Sequence, residues 1–139
     1  MSANLDLVRS IYAAWERGDF SSADWAHPEI EYVVADGTDP GVWTGIRAMA
    51  AAWREALNVW ENVRTKVDEY RELDEERVFA LLSWSGRGRT SGFDLADVPW
   101  TGANVFHIRN GKVTRLVLYW DRERALADLG LAPEGDSQQ

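Results

Sequence analysis

The stretch VVADGTDPGVWTG (33–45) breaks an apolar run at Asp36, just ahead of a periodic segment rich in tryptophan. A carboxylate placed there has two readings. As a turn former it bonds its own backbone, and ADGTDPG is dense in the residues that do so. As a general base it removes a proton beside a carbonyl, which requires approach within about 2.6–3.2 Å or through one water, and an apolar wall that raises its pKa. Trp43, Trp53 and Trp120 are the candidates for that wall. Such a base needs a donor for the developing enolate oxygen, and the neutral amide of Asn104 is the candidate. A bulge or an exposed strand position is the plainer reading of Asn104. Tyr12, Tyr32 and Asp121 are the assistants: two phenols beside apolar residues, and an acid whose plainer role is to cap the last helix.

Other chemistry finds less support. There is no cysteine, and two distant histidines without HExxH spacing offer no zinc site, so the expectation is no metal and no cofactor. His27, before Pro28, suits the end of a short helix, and His107 alternates out of phase with Asn104 and falls on the opposite sheet face. GRGRTSG (86–92) has glycines but no lysine–serine pair and opens no helix, so it reads as a bulged strand end, with residues 86–98 as a lid. Arg17–Gly18–Asp19 is explained by helix termination, and nothing resembles a nucleophile elbow.

The elements that must position these residues follow from period. Leu5, Val8, Ile11, Tyr12 and Trp15 recur at helical spacing, with Ser2 or Asn4 as N-cap and Gly18 suited to the end. FSSADWAHPEI predicts a two-turn helix ended by Pro28, and IEYVV (30–34) a short strand. Ile46, Met49, Ala50, Trp53, Leu57 and Trp60 then line one stripe of a long helix. From residue 62 the period becomes two. VRTKVDEYREL and RVFALLSWSGRGR flank DEE, and VPWTGANVFHIR and KVTRLVLYW flank the turn pair Asn110–Gly111, which predicts two antiparallel hairpins. Alternation groups Trp100, Asn104, Phe106 and Ile108 on one face, and Leu116, Leu118 and Trp120 on the next. DRERALADLGL predicts a closing helix.

Composition narrows the partners. Lys and Arg number 15 against 23 Asp and Glu in 139 residues, a formal charge of -8, which disfavours nucleic acid and anionic membranes. No apolar run approaches the ~20 residues that span a bilayer, and no leader pattern opens the chain, so the expectation is a cytoplasmic protein. One domain over 1–131 and a flexible tail over 132–139 are expected. Eight tryptophans imply an aromatic core, a ring-lined cavity, or both.

The order of elements, HPEIEY leading into the first strand, the glycine in WTGIRAMAAAW, and the ending NGKVTRLVLYWDRERAL resemble the nuclear transport factor 2-like superfamily, and within it the SnoaL-like proteins. The resemblance covers roughly residues 4–131. It implies an α+β, cone-shaped fold: a curved mixed or antiparallel sheet wrapped around a long helix, with two further N-terminal helices, all packed on one face. It leaves function open, because the superfamily holds isomerases, cyclases, dehydratases, epoxide hydrolases, ligand binders and a transport adaptor. In ketosteroid isomerase, a member, a carboxylate base lies at a spacing similar to that from Asp36 to Gly45. The strand position of its acidic oxyanion donor matches Asn104, while its helix tyrosine falls at Ile11, beside Tyr12. The limonene epoxide hydrolase pattern is absent, since Leu118 stands where its strand aspartate would be.

The expectation is therefore a small, largely apolar molecule bearing a carbonyl or hydroxyl, bound in an aromatic cavity lined by Trp15, Trp25, Tyr32 and Trp43 from the first half. Trp53, Trp100, Phe106, Leu118 and Trp120 complete the lining. Turnover by an isomerase, cyclase or dehydratase would use Asp36 as base. The alternatives are a ligand binder without chemistry and a protein-interaction module. A homodimer through the outer sheet face, with Thr101, His107 and Arg115 on it, is also expected.

Overall fold

A computed structural model describes residues 3–17, 19, 24–36, 40–58, 60–88 and 100–131, with the side chains of 56–64, 85–88 and 100 left aside. The first helix, α1 (Ala3–Glu16), buries the stripe Val8, Ile11, Tyr12 and Trp15 that its period requires. Asn4 lies inside this helix and its amide donates to the Glu75 carbonyl at 2.7 Å, so it is no N-cap. Ser2 and Gly18 lie outside the described residues.

The next element corrects the expected two-turn helix. Strand β1 (Ala26–Val34) already contains His27 and Pro28, while residues 20–23 lie outside the described residues. Pro28 is tolerated because the pairing register slips between Ala26 and Glu31, where no ladder N–H is demanded of it. His27 thus caps no helix; its Nδ1 accepts the Glu29 N–H at 3.0 Å. A short strand, β2 (Gly41–Thr44), also forms where a loop was expected, pairing Trp43 with Tyr32.

Helix α2 (Ile46–Asn58) has 13 residues against 14 in α1, so no helix stands out as the long one. It stops before Trp60, which opens β3 (Trp60–Glu72) instead of completing the helical stripe. Then come β4 (Arg77–Gly88), β5 (Trp100–Arg109), β6 (Lys112–Tyr119) and α3 (Arg122–Asp128). Asn110 and Gly111 adopt positive φ (53° and 75°), the twist a two-residue hairpin turn needs between β5 and β6.

The six strands form one mixed sheet in the order β2-β1-β6-β5-β4-β3, antiparallel except for the β1–β6 pair. Helices α1 and α2 cover one face, here called inner, where Ile30, Phe106, Leu116 and Val78 are buried with the α1 stripe. Helix α3 lies on the other face, burying Ala125 and Leu126 against Phe79, Leu81, Val105 and Tyr119. The expectation of one shared face covered the helices ahead of the four long strands; α1 and α2 share it, and the closing helix α3 lies opposite. Alternation along β4 explains it, because Phe79 and Leu81 are as apolar as Val78 and Ala80, and both faces must be covered. Part of the outer face is thus occupied within the chain, and His107 and Arg115 stand beyond that cover, half-buried and exposed.

Candidate functional site

The inner face carries its polar groups in one place. Register aligns Tyr32 with Leu116 and Phe106, then Val34 with Leu118 and Asn104, as successive rows across β1, β6 and β5. In the second row the Asn104 amide donates to the Tyr12 hydroxyl at 2.8 Å, joining helix and sheet in the interior. Burial pushes the Tyr12 phenol well above its usual pKa, the Asn104 bond working against that and Tyr70 adding to it. A phenol so held stays protonated. Having accepted from Asn104, it can still donate.

Asp36 follows two residues beyond Val34 and is only 7% exposed. Its Oδ1 accepts the Trp120 N–H at 2.6 Å and its Oδ2 the Asp121 N–H at 3.3 Å. The carboxylate therefore fastens the end of β1 to the junction of β6 and α3. Each oxygen keeps another lone pair, so the side chain is occupied without being saturated. Asp121 itself is exposed and N-caps α3, its Oδ1 accepting from the Glu123 and Arg124 N–H groups at 3.0 and 3.4 Å. It is not brought to Asn104.

The expected lining residues divide in two. Trp15 packs edge-on to Tyr12 (5.1 Å between centroids), Trp25 (5.8 Å) and Trp53 (5.3 Å), and Trp25 stacks on Trp53 at 6.0 Å. Phe106 is fully buried beneath Tyr12 at 5.6 Å. These rings fill space against one another. Tyr32 lies against Trp43 at 5.8 Å and Trp53 at 5.9 Å, and burial raises its phenol to about 12, a bond to Trp53 pulling the other way. Leu118 lies beside Asn104, and Trp120 meets Trp84 at 5.2 Å beyond them. Trp100 pairs with Trp84 through the backbone, and its side chain lies outside the described residues, as does the loop 89–99 expected to be a lid.

Sequence reasoning missed four contributors. Trp84 and Gly102 belong together: a Cβ at Gly102 would lie 2.5 Å from the Trp84 ring and 2.5 Å from the Tyr119 carbonyl oxygen, so only glycine admits this contact. The alternation Val78, Ala80, Leu82, Trp84 contained that signal. Thr65 is 7% exposed opposite Trp84, but a register shift between Val67 and Glu69 hides its parity in the sequence. Arg122 donates to the Leu82 carbonyl at 2.7 Å and the Gly102 carbonyl at 3.3 Å and pairs with Asp68, bracing the junction that holds Asp36. No sequence period reports such a contact. Among the described residues no cluster of His, Asp or Glu could hold a metal ion, and no helix is long and apolar enough to cross a membrane. A shallow cleft of about 560 Å³ between the start of α1 and the β3–β4 turn is lined by Asn4, Glu72 and Asp74 and lies apart from this site.

Residues 8–116 match the SnoaL-like domain family. The chain belongs to that family. This SnoaL-like protein is also similar in fold to solved structures of low identity. One is an NTF2-like protein of unknown function from Burkholderia pseudomallei K96243, at 21% identity and TM-score 0.76 over 91% of this chain and 97% of that one. A second is TerC co-crystallised with polyporic acid, at 20% identity and TM-score 0.73 over 92% and 98%. A third, from Jannaschia sp. CCS1, is named as a candidate SnoaL-like polyketide cyclase, at 13% identity and TM-score 0.71 over 94% of each chain. No curated protein sequence matches the chain.

Proposed function

We propose that this SnoaL-like protein binds a small, largely apolar molecule bearing a carbonyl or hydroxyl, and rearranges it by acid–base chemistry as an isomerase, cyclase or dehydratase. The observation that carries this reading is the Asn104–Tyr12 pair, two hydrogen-bonding side chains joined at 2.8 Å in the buried interior. A ligand carbonyl would take the Tyr12 O–H and the second Asn104 N–H. Asp36 lies about 7 Å further along the strands than that row, within reach of a carbon beside the carbonyl. It would take that carbon's proton, the C–H electron pair moving to the carbonyl oxygen, and the enolate charge would be met by the two donors. The proton returns from Asp36 to another carbon in an isomerase. In a cyclase the enolate carbon adds to a second carbonyl of the ligand, whose oxygen takes the proton from Asp36. In a dehydratase a β-hydroxyl leaves with that proton as water while the carbonyl re-forms. The fold likeness to TerC, co-crystallised with polyporic acid, and to the candidate polyketide cyclase from Jannaschia supports a small-molecule reading of this kind.

The test is a thermal-shift series with an enone steroid, a hydroxyanthraquinone, a terpenoid ketone and polyporic acid, followed by mass spectrometry of each stabilising compound after incubation in D2O. The expectation is conversion or deuterium uptake by the wild type, reduced about 100- to 10,000-fold in Asp36→Asn. Equal uptake by the two proteins would remove Asp36 as base.

A second reading, a binding module without chemistry, is favoured by the two backbone N–H groups that Asp36 already serves. Under it the same compounds stabilise the protein and are recovered unchanged. A second copy docking on the outer face around His107 and Arg115 is proposed as well; a monomer in sedimentation at micromolar concentration would exclude it.

A further inference from the structure

Among the described residues three polar side chains are nearly wholly buried, Asp36, Asn104 and Thr65, each 7% exposed. Buried polar groups are ordinarily paired, so one left over marks a place for something that arrives from outside. Asp36 has two backbone donors, and Asn104 has Tyr12. The Thr65 hydroxyl has no hydrogen-bond partner among the described residues, and its oxygen is not fully sealed.

Thr65 faces the same side as the proposed site. It pairs with Trp84, and Val67, two residues on, packs with Leu82 in the inner cluster. Next to it the Trp84 and Trp120 rings meet at 5.2 Å, both half-buried, with the Cβ-less Gly102 beneath Trp84. From Asn104, paired with Ala80, Thr65 is four residues along and two strands across, about 13 Å by about 10 Å. A single-ring ketone cannot touch both groups. A molecule of three linked rings can.

We propose that Thr65 is a second polar anchor of the ligand site, and that the ligand is an elongated, mostly flat molecule with an oxygen function at each end. One oxygen is held by Asn104 and Tyr12, the other by the Thr65 hydroxyl, and the middle ring lies against Trp84 and Trp120. The proposal rests on the reading that this end of the inner face takes a ligand, but not on any turnover there.

The experiment compares 4,4″-dihydroxy-p-terphenyl with 4-hydroxy-p-terphenyl, binding being read from tryptophan fluorescence quenching in the wild type, Thr65→Val and Thr65→Ser. One hydrogen bond predicts about 3- to 10-fold tighter binding of the diol by the wild type. Thr65→Val, which keeps the shape and removes the hydroxyl, should erase that preference while leaving the mono-ol unchanged, and Thr65→Ser should retain it. A preference that survives Thr65→Val overturns the anchor while the ligand site stands. Equal binding of both probes by the wild type does the same, the hydroxyl then being met by water alone. Binding of neither probe overturns the anchor and the ligand site together.

Discussion

The inner face of the sheet has two halves built from the same strands, and they differ in what the side chains do for one another. Phe106, Leu116, Ile30 and Val113 are apolar neighbours from which solvent is excluded. Two to four residues further along, Val34, Asn104, Leu118, Asp36 and Thr65 each keep a trace of exposure, and the three buried polar side chains among the described residues all occur there. The first half is closed by rings meeting rings. The second is closed by backbone clamps, Asp36 on 120–121 and Arg122 on β4 and β5. A half held by polar clamps can present unsatisfied groups to a ligand, which a close-packed apolar half cannot.

Substitution should separate the halves by size of effect. Phe106→Ala is expected to lose about 3–5 kcal/mol in urea denaturation, as full burial beneath Tyr12 implies, while half-buried Trp120→Ala loses less. Equal losses would erase the distinction. Asp36→Ala leaves the Trp120 and Asp121 N–H groups without their acceptor and should lose about 1.5–3 kcal/mol, with amide exchange at 120 and 121 accelerated ahead of that at 106. Uniform acceleration would mean that the clamp is not local. Gly102→Ala should lose about 1–3 kcal/mol, because the Tyr119 carbonyl at 2.5 Å is backbone and cannot swing aside, and Trp84 emission should shift.

Titration gives the smaller effects. Tyr32 is raised to about 12 and Tyr12 well above its ordinary value, so between about pH 10 and 12 the unfolded chain holds fewer protons than the native one. That part of the stability is complete below pH 10; the Tyr32 share is lost as pH rises through 12, and the Tyr12 share as pH rises through its own raised pKa. Ultraviolet titration should find these two phenols ionising last, together with unfolding. His107 behaves in the opposite sense. Burial, then Arg115 and Arg77, lower its pKa below 6.5, so its share is complete above 6.5 and is lost as pH falls through the native value. His107→Gln should flatten the acid side of a stability profile, and an unchanged profile would reject that source.

Much of the fold was legible because its signals are local. The α1 stripe, the four long strands and the Asn110–Gly111 turn are written in spacing alone, and the capping role of Asp121 in its position before Arg122. The errors fall where a distant partner outweighs the local pattern. Pro28 sits in a strand because a register slip excuses its missing N–H, and Trp60 leaves the helical stripe for the β3 ladder. The candidate site divides in the same way: Tyr12 and Asn104 were chosen separately as chemistry-bearing residues, and nothing in their 92-residue separation foretold a bond between them.

By itself, then, the sequence determined which residues are apolar, where period changes from helix to strand, and which side chains have chemistry to offer. Tertiary structure decided their company. It set Asn104 against Tyr12, occupied Asp36 with the backbone of 120 and 121, and left Thr65, paired with Trp84 across the strands, with a hydroxyl that has no partner among the described residues. The reason is physical: propensity and period act over a few neighbouring residues, whereas satisfying a buried polar group depends on whatever strand or helix packing brings beside it.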